Sequence, residues 1–257
     1  MKRIIALTLV LGMAASCLVG CGGVPSSPLP GLLASLKDVP TFSIVLADMK
    51  REGNFSDSYY QKFKILTPQA KPAAQNSSST DADGVLFQPS AVSATQTDWV
   101  EVSERWYKEN ERFLGMTIYA KKDGAVQKTA GPAGYEYVGD SRYGRWTNDS
   151  HGNRIWCFFG QYALFSMMMG NRGVYHRDYS DYRTSQGRGG AYYGPKDSGG
   201  RPTYGTSGSV TQRQNPNFYA RRMAVKRAAS SSFSKKVSSR TGRSSVGVRS
   251  RSGRAGK

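Results

Sequence analysis

The chain has 257 residues, with 36 Lys and Arg against 18 Asp and Glu, a formal net charge of +18 and a sequence pI of about 9.9. Its three cysteines, two of them within the first 21 residues, exclude a disulfide framework. The charge is unevenly spread: Gly22 to Gly170 holds 15 basic and 15 acidic residues, whereas Asn171 to Lys257 holds 19 and 3. The high pI therefore describes the C-terminal third, and an anionic partner has to be sought there.

Lys2 and Arg3 begin the chain with positive charge, and Ile4 to Leu11 follow as an apolar run too short to span a bilayer. Leu18-Val19-Gly20-Cys21 then places an aliphatic residue three positions before a cysteine, with a small residue next to the cut. In these residues the sequence resembles bacterial lipoproteins, over roughly residues 1–23. The resemblance implies a signal peptide over 1–20, cleavage before Cys21 and lipidation of that thiol, hence a membrane anchor of two or three acyl chains. Cys17 is a rival acceptor, but Ala14-Ala15-Ser16 lacks the bulky aliphatic residue. Gly22 and Gly23 are not the Asp that retains many lipoproteins at the inner membrane, so the resemblance favours the outer membrane of the bacterial envelope. Residues 21–36 read as the lipidated cysteine and a Pro/Gly-containing tether.

A small domain is expected over 37–170. Thr41 to Leu46 and the alternating run Tyr59 to Leu66 form a hairpin around Gly53-Asn54. Residues 68–97 are poor in apolar side chains and are expected as a disordered insertion. Strands follow at Trp99–Val102, within Phe113–Ala120, at Tyr135–Val138 and at Tyr143–Trp146. A charged turn is expected at Lys108–Glu111, with reversals at Lys122-Asp123-Gly124 and Asn148–Asn153. Ile155–Met169 is too short and too interrupted for a membrane span and reads as a buried core element. It would contain Cys157 as a buried thiol and a helix over Gln161–Met169 that Gly170 caps. The aromatic stretch Gly131–Trp146 is expected to fill the core, the alternative being a face on which a carbohydrate stacks.

From Asn171 the composition turns to Gly, Tyr, Arg and Ser, with tyrosines at irregular intervals, and the segment 171–257 is expected as a disordered basic tail. Its last 37 residues carry 12 cations and no carboxylate: Arg221, Arg222, Lys226, Arg227, Lys235, Lys236, Arg240, Arg243, Arg249, Arg251, Arg254 and Lys257. These are the candidate polyanion-binding residues. Their expected partners are anionic lipid, lipopolysaccharide or another acidic polymer. Residues 130–257 also resemble a group of bacterial envelope lipoproteins without an assigned activity, so no functional residue carries over.

The remaining chemistry is sparse. His151 and His176 have no second His or Cys at ligand spacing, and no nucleophile elbow, Ser-x-x-Lys pair or His-Glu-x-x-His helix is present. Neither catalysis nor a cofactor or metal is expected. Glu101, Glu104, Glu109 and Glu111, interspersed with Arg105, Lys108 and Arg112, read as a salt-paired surface. The expected fold class is α+β, a small antiparallel sheet with one or two helices, followed by a long disordered basic tail. The expected function is that of a membrane-anchored binding or structural lipoprotein. The alternatives are an extracellular nucleic-acid binder and an accessory subunit of an envelope complex or enzyme.

Overall fold

The computed structural model of the protein describes residues 26–53, 57–69, 79–80, 86–87 and 91–244. Its centre is the hairpin of β1 (Phe42–Glu52) and β2 (Ser58–Pro68), paired antiparallel from Ser43–Leu66 to Glu52–Ser58. In β2 the period of two is plain: Tyr59, Gln61, Phe63 and Ile65 are buried, while Tyr60, Lys62 and Lys64 lie on the wetter face. A bulge between Leu46 and Asp48 shifts the register of β1.

The sheet grows outward from that hairpin. Strands β3 (Ser79–Thr80) and β4 (Leu86–Phe87) form a separate two-residue ladder. β5 (Val92–Gln96) and β6 (Val100–Val102) pair with β2. β7 (Met116–Lys122) pairs with β1, and β8 (Ala125–Gln127) and β9 (Gly131–Pro132) pair with β7. A second sheet contains β10 (Gly144–Asn148), β11 (Arg154–Phe158) and β12 (Val174–Tyr175).

Each face of the main sheet has its own core. On one face, Phe42, Ile44, Leu46, Phe63 and Ile118 meet Leu32 of α1 (Leu29–Ser35) and Phe218 of the last helix. Trp106 and Tyr107 of α2 (Glu104–Asn110) flank this core. On the other face, Val45, Leu66 and Met116 join a cluster rich in tyrosine that includes Trp156, Tyr162 and Phe165.

The α+β class holds, with more helices than expected. The turn expected at Lys108–Glu111 is instead the end of α2 and a 3-10 turn, Glu111–Phe113. The Ser103 hydroxyl caps α2 by accepting from the Trp106 N–H, and Glu104–Lys108 and Arg105–Glu109 bridge successive turns. Tyr135–Tyr137 is a 3-10 turn rather than a strand, entered through Gly134 at φ +94°. The helix expected after Phe159 is present as α3 (Ala163–Met168), closed by Gly170 at φ +75°. The insertion at 68–97 is not wholly irregular: β5 is part of the sheet, Val92 is buried, and the Ala91 N–H donates to the Gln161 carbonyl. Cys157 is exposed, because β11 turns Trp156 inward and its neighbour outward.

The largest correction concerns 171–244. These residues form β12, α4 (His176–Gly187), α5 (Ser209–Gln214) and α6 (Pro216–Ser244), with ordered loops between them. Tyr182, Tyr192 and Tyr204 are buried around Tyr135, with ring centroids 5.4–6.0 Å from it. The tyrosines recur irregularly because one comes from a helix and the others from loops, so no single period describes them. Backbone bonds seal the attachment: the Tyr192 N–H donates to Ala130, and the Thr206 N–H to Arg112. Gly205, at φ +79°, lets the chain pass where a Cβ would sit 2.8 Å from the Arg112 carbonyl oxygen. Aromatic burial offsets the entropy of ordering a polar segment whose composition alone reads as disordered.

Candidate functional site

The basic residues singled out in the sequence are carried by a helix. Pro216 opens α6, where a missing N–H costs nothing, and Phe218 and Tyr219 fasten its first turn. The Tyr219 hydroxyl donates to the Thr206 carbonyl at 2.5 Å. Arg221 bonds Asp48 of β1 at 2.5 Å. Beyond that ion pair α6 leaves the body: Arg222, Met223, Val225, Arg227 and Val237 are all exposed. At about 1.5 Å per residue, 29 residues reach roughly 43 Å.

No acid follows Asp197 in the sequence, so no carboxylate on α6 can neutralise its cations. Of the twelve candidate residues, Arg221, Arg222, Lys226, Arg227, Lys235, Lys236, Arg240 and Arg243 belong to α6. Arg249, Arg251, Arg254 and Lys257 lie outside the described residues, as do Cys21 and the signal segment.

At the root of the helix, a second group of cations belongs to the body. Cross-strand pairing sets Lys50 opposite Tyr60 and Asp48 opposite Lys62, on one face of the hairpin. Over that face lies the half-buried Trp99, with the Lys50 and Lys62 ammonium groups 4.6 and 4.9 Å from its ring centroid and the Arg221 guanidinium 5.9 Å away. Lys50 also lies 5.0 Å from the Tyr60 ring. The ion pairs here are Lys50–Glu52 and Arg221–Asp48; Lys62 and Lys64 form none among the described residues. A groove of about 400 Å³ continues from this face, lined by Lys64, Asp48, Gln96, Gln214, Asn217 and Phe218. Alternation in β2 marks the lysine face in the sequence, but nothing there joins Trp99 to it.

The most constrained titratable group is Glu136. Its carboxylate accepts from the hydroxyls of Ser43 and Thr117 and from the Gly134 N–H, and the Tyr137 hydroxyl lies 2.7 Å from Ser43 Oγ. Burial pushes the Glu136 carboxyl up, against the pull of these donors. The residue also lines a cleft with Lys122, Lys128, Tyr179, Arg183 and Gln186. Its donors come from β1, β7 and the 3-10 turn, so its first effect is to tie those elements together. Nearby, Arg142 bonds Asp123 and Asp140, and Lys122 bonds Asp140 at 2.9 Å. These cations hold both carboxylates below the usual range.

Tyr135, Tyr137 and Tyr143 are buried, so the aromatic stretch fills the core and offers no stacking face; Trp146 is half-buried against Trp156, His176 and Tyr179. His151 is exposed in its turn, and His176 is exposed at the start of α4. Among the described residues no three His, Cys, Asp or Glu converge as metal ligands, and no helix is long and apolar enough to cross a membrane. No family model, curated protein or solved structure matches the chain.

Proposed function

We propose that the protein is an envelope lipoprotein, anchored through lipid on Cys21, that binds an anionic envelope component with its C-terminal basic segment. The observation that carries this reading is α6: after the Arg221–Asp48 pair it extends from the body with exposed Arg222 and Arg227 and no carboxylate of its own. Exposed Arg222 and Arg227 have no ion pair among the described residues, which leaves their charge available to a partner. Near an anionic surface each cation contributes up to about 1 kcal/mol, reduced by a screening length of ~8 Å at physiological salt.

Two experiments test the two halves of this reading. Cys21→Ala should abolish labelling by a palmitate analogue and leave precursor of higher mass; normally sized, membrane-held protein would refute the anchor. For the second half, the chain from Gly22 should bind vesicles containing anionic lipid, or lipopolysaccharide, at low salt. Replacing Arg222, Lys226, Arg227, Lys235 and Lys236 by Gln should remove most of that binding. Undiminished binding by this variant would refute the role of α6.

A further inference from the structure

We propose that the Trp99 face of the β1–β2 hairpin is a binding site for an acidic glycan whose carboxylates are bonded to the sugar rings. This deepens the preceding reading by naming the class of polyanion and placing part of its recognition on the folded body.

Three cations lie over one half-buried indole, at 4.6, 4.9 and 5.9 Å from its centroid. The ring quadrupole holds positive charge beside an apolar face. A uronic acid combines the complementary features in one residue, a pyranose whose C–H face stacks on an aromatic ring and a carboxylate attached directly to that pyranose. In a nucleotide the phosphate is separated from the stacking base by the ribose, so cations held this close to the aromatic centre fit the sugar acid better. Hydrogen-bonding capacity extends in the same direction, because Gln96, Gln214 and Asn217 line the adjoining groove beside Lys64. That groove is concave, which suits a single chain rather than the flat surface of a bilayer. Two of the cations are also held in place before any ligand arrives, Lys50 by Glu52 and Arg221 by Asp48, while among the described residues Lys62 is held only by its contact with the ring. Where the groove ends at the first turn of α6, the helix continues the positive track.

The test uses the chain from Gly22 with three probes: an oligogalacturonate, a single-stranded oligothymidylate of matched charge, and a neutral glucan oligomer. Binding is followed by calorimetry. Trp99→Ala should weaken oligogalacturonate binding about tenfold, and Trp99→Phe should restore most of it. Lys62→Gln, which leaves the ring in place, should weaken binding to a smaller extent. The loss from Trp99→Ala should persist when the α6 cations are replaced by Gln, which separates this site from the helix. No loss in Trp99→Ala or Lys62→Gln would overturn the site. A Trp99-dependent preference for oligothymidylate, or equal losses for both anions, would overturn the choice of a sugar acid. Binding of the neutral glucan as tight as that of the acidic oligomer would do the same.

Discussion

Residues 171–221 and 222–244 share an excess of cations and a wealth of Ser and Arg, yet the first stretch folds into the body and the second projects from it. The difference lies in where the rings are. Tyr182, Tyr192, Tyr204 and Phe218 are buried in the first stretch, whereas Met223, Val225 and Val237 remain exposed in the second. Charge is similar in kind, so charge does not decide folding here. Aromatic side chains with a cavity to enter, and loops able to bring them there, do.

Truncating a buried ring should break that comparison most severely. Tyr204→Ala removes a ring packed on Tyr135, and its hydroxyl bond to the Met169 carbonyl is lost with it. A loss of about 3–5 kcal/mol is expected in denaturant unfolding. A change below about 0.5 kcal/mol would mean that the segment after Asn171 lies outside the cooperative fold.

Glu136→Gln comes next. In the variant the amide oxygen can still accept from the Gly134 N–H and the NH₂ can donate to the Ser43 or Thr117 hydroxyl, so the geometry is kept and the charge-assisted bonds are lost. A loss of about 1–3 kcal/mol is expected in chemical denaturation at neutral pH. Equal stability of the Gln variant would show that the native side chain is held in its protonated form.

Acid should act through Asp140. Arg142 and Lys122 depress its pKa in the folded state, so its contribution is present above the unfolded value and is lost as pH falls below about 4. Asp140→Asn should lower the thermal midpoint at pH 7 by an amount equivalent to about 1–2 kcal/mol and have a smaller effect at pH 2, where the unfolded chain is protonated but the folded carboxyl has not fully titrated. Glu136, shifted upward, works with the opposite sign, its cost increasing as pH rises. A variant as sensitive to acid as the parent chain would remove Asp140 from the account. At the small end, Met223→Ala and Val225→Ala, both exposed on α6, should change stability by no more than about 0.5 kcal/mol.

Much of the sheet is legible in the sequence because its signals are local. The alternation from Tyr59 to Ile65, the reversal at Asp123-Gly124 and the glycine after Met169 each act within a few residues, and each has its counterpart in the structure. The tyrosine cluster is not legible, since Tyr135 and Tyr204 meet only across several intervening strands, helices and loops. Cys157 illustrates the opposite error. An unbroken apolar run reads as buried, but a strand with one wet face exposes alternate residues whatever their polarity. Of the candidate site, the basic residues were readable individually. Their presentation on a helix, and the placement of Lys50, Lys62 and Arg221 around Trp99, depend on the hairpin register and the exit path of α6.

The separation of a folded body from a binding helix is tested most directly by ending the chain at Arg227 and measuring two quantities together. Thermal unfolding of the chain from Gly22 should have the same midpoint with and without residues 228–257, because among the described residues none in that span belongs to either core cluster. Binding to anionic vesicles should be strong in the longer chain at 50 mM salt, and the loss on going to 200 mM salt should be on the order of 10³-fold if about six charges are engaged. The shorter chain should bind far more weakly and respond less steeply to salt. A lowered midpoint in the shorter chain, or equal vesicle binding by the two, would contradict the account.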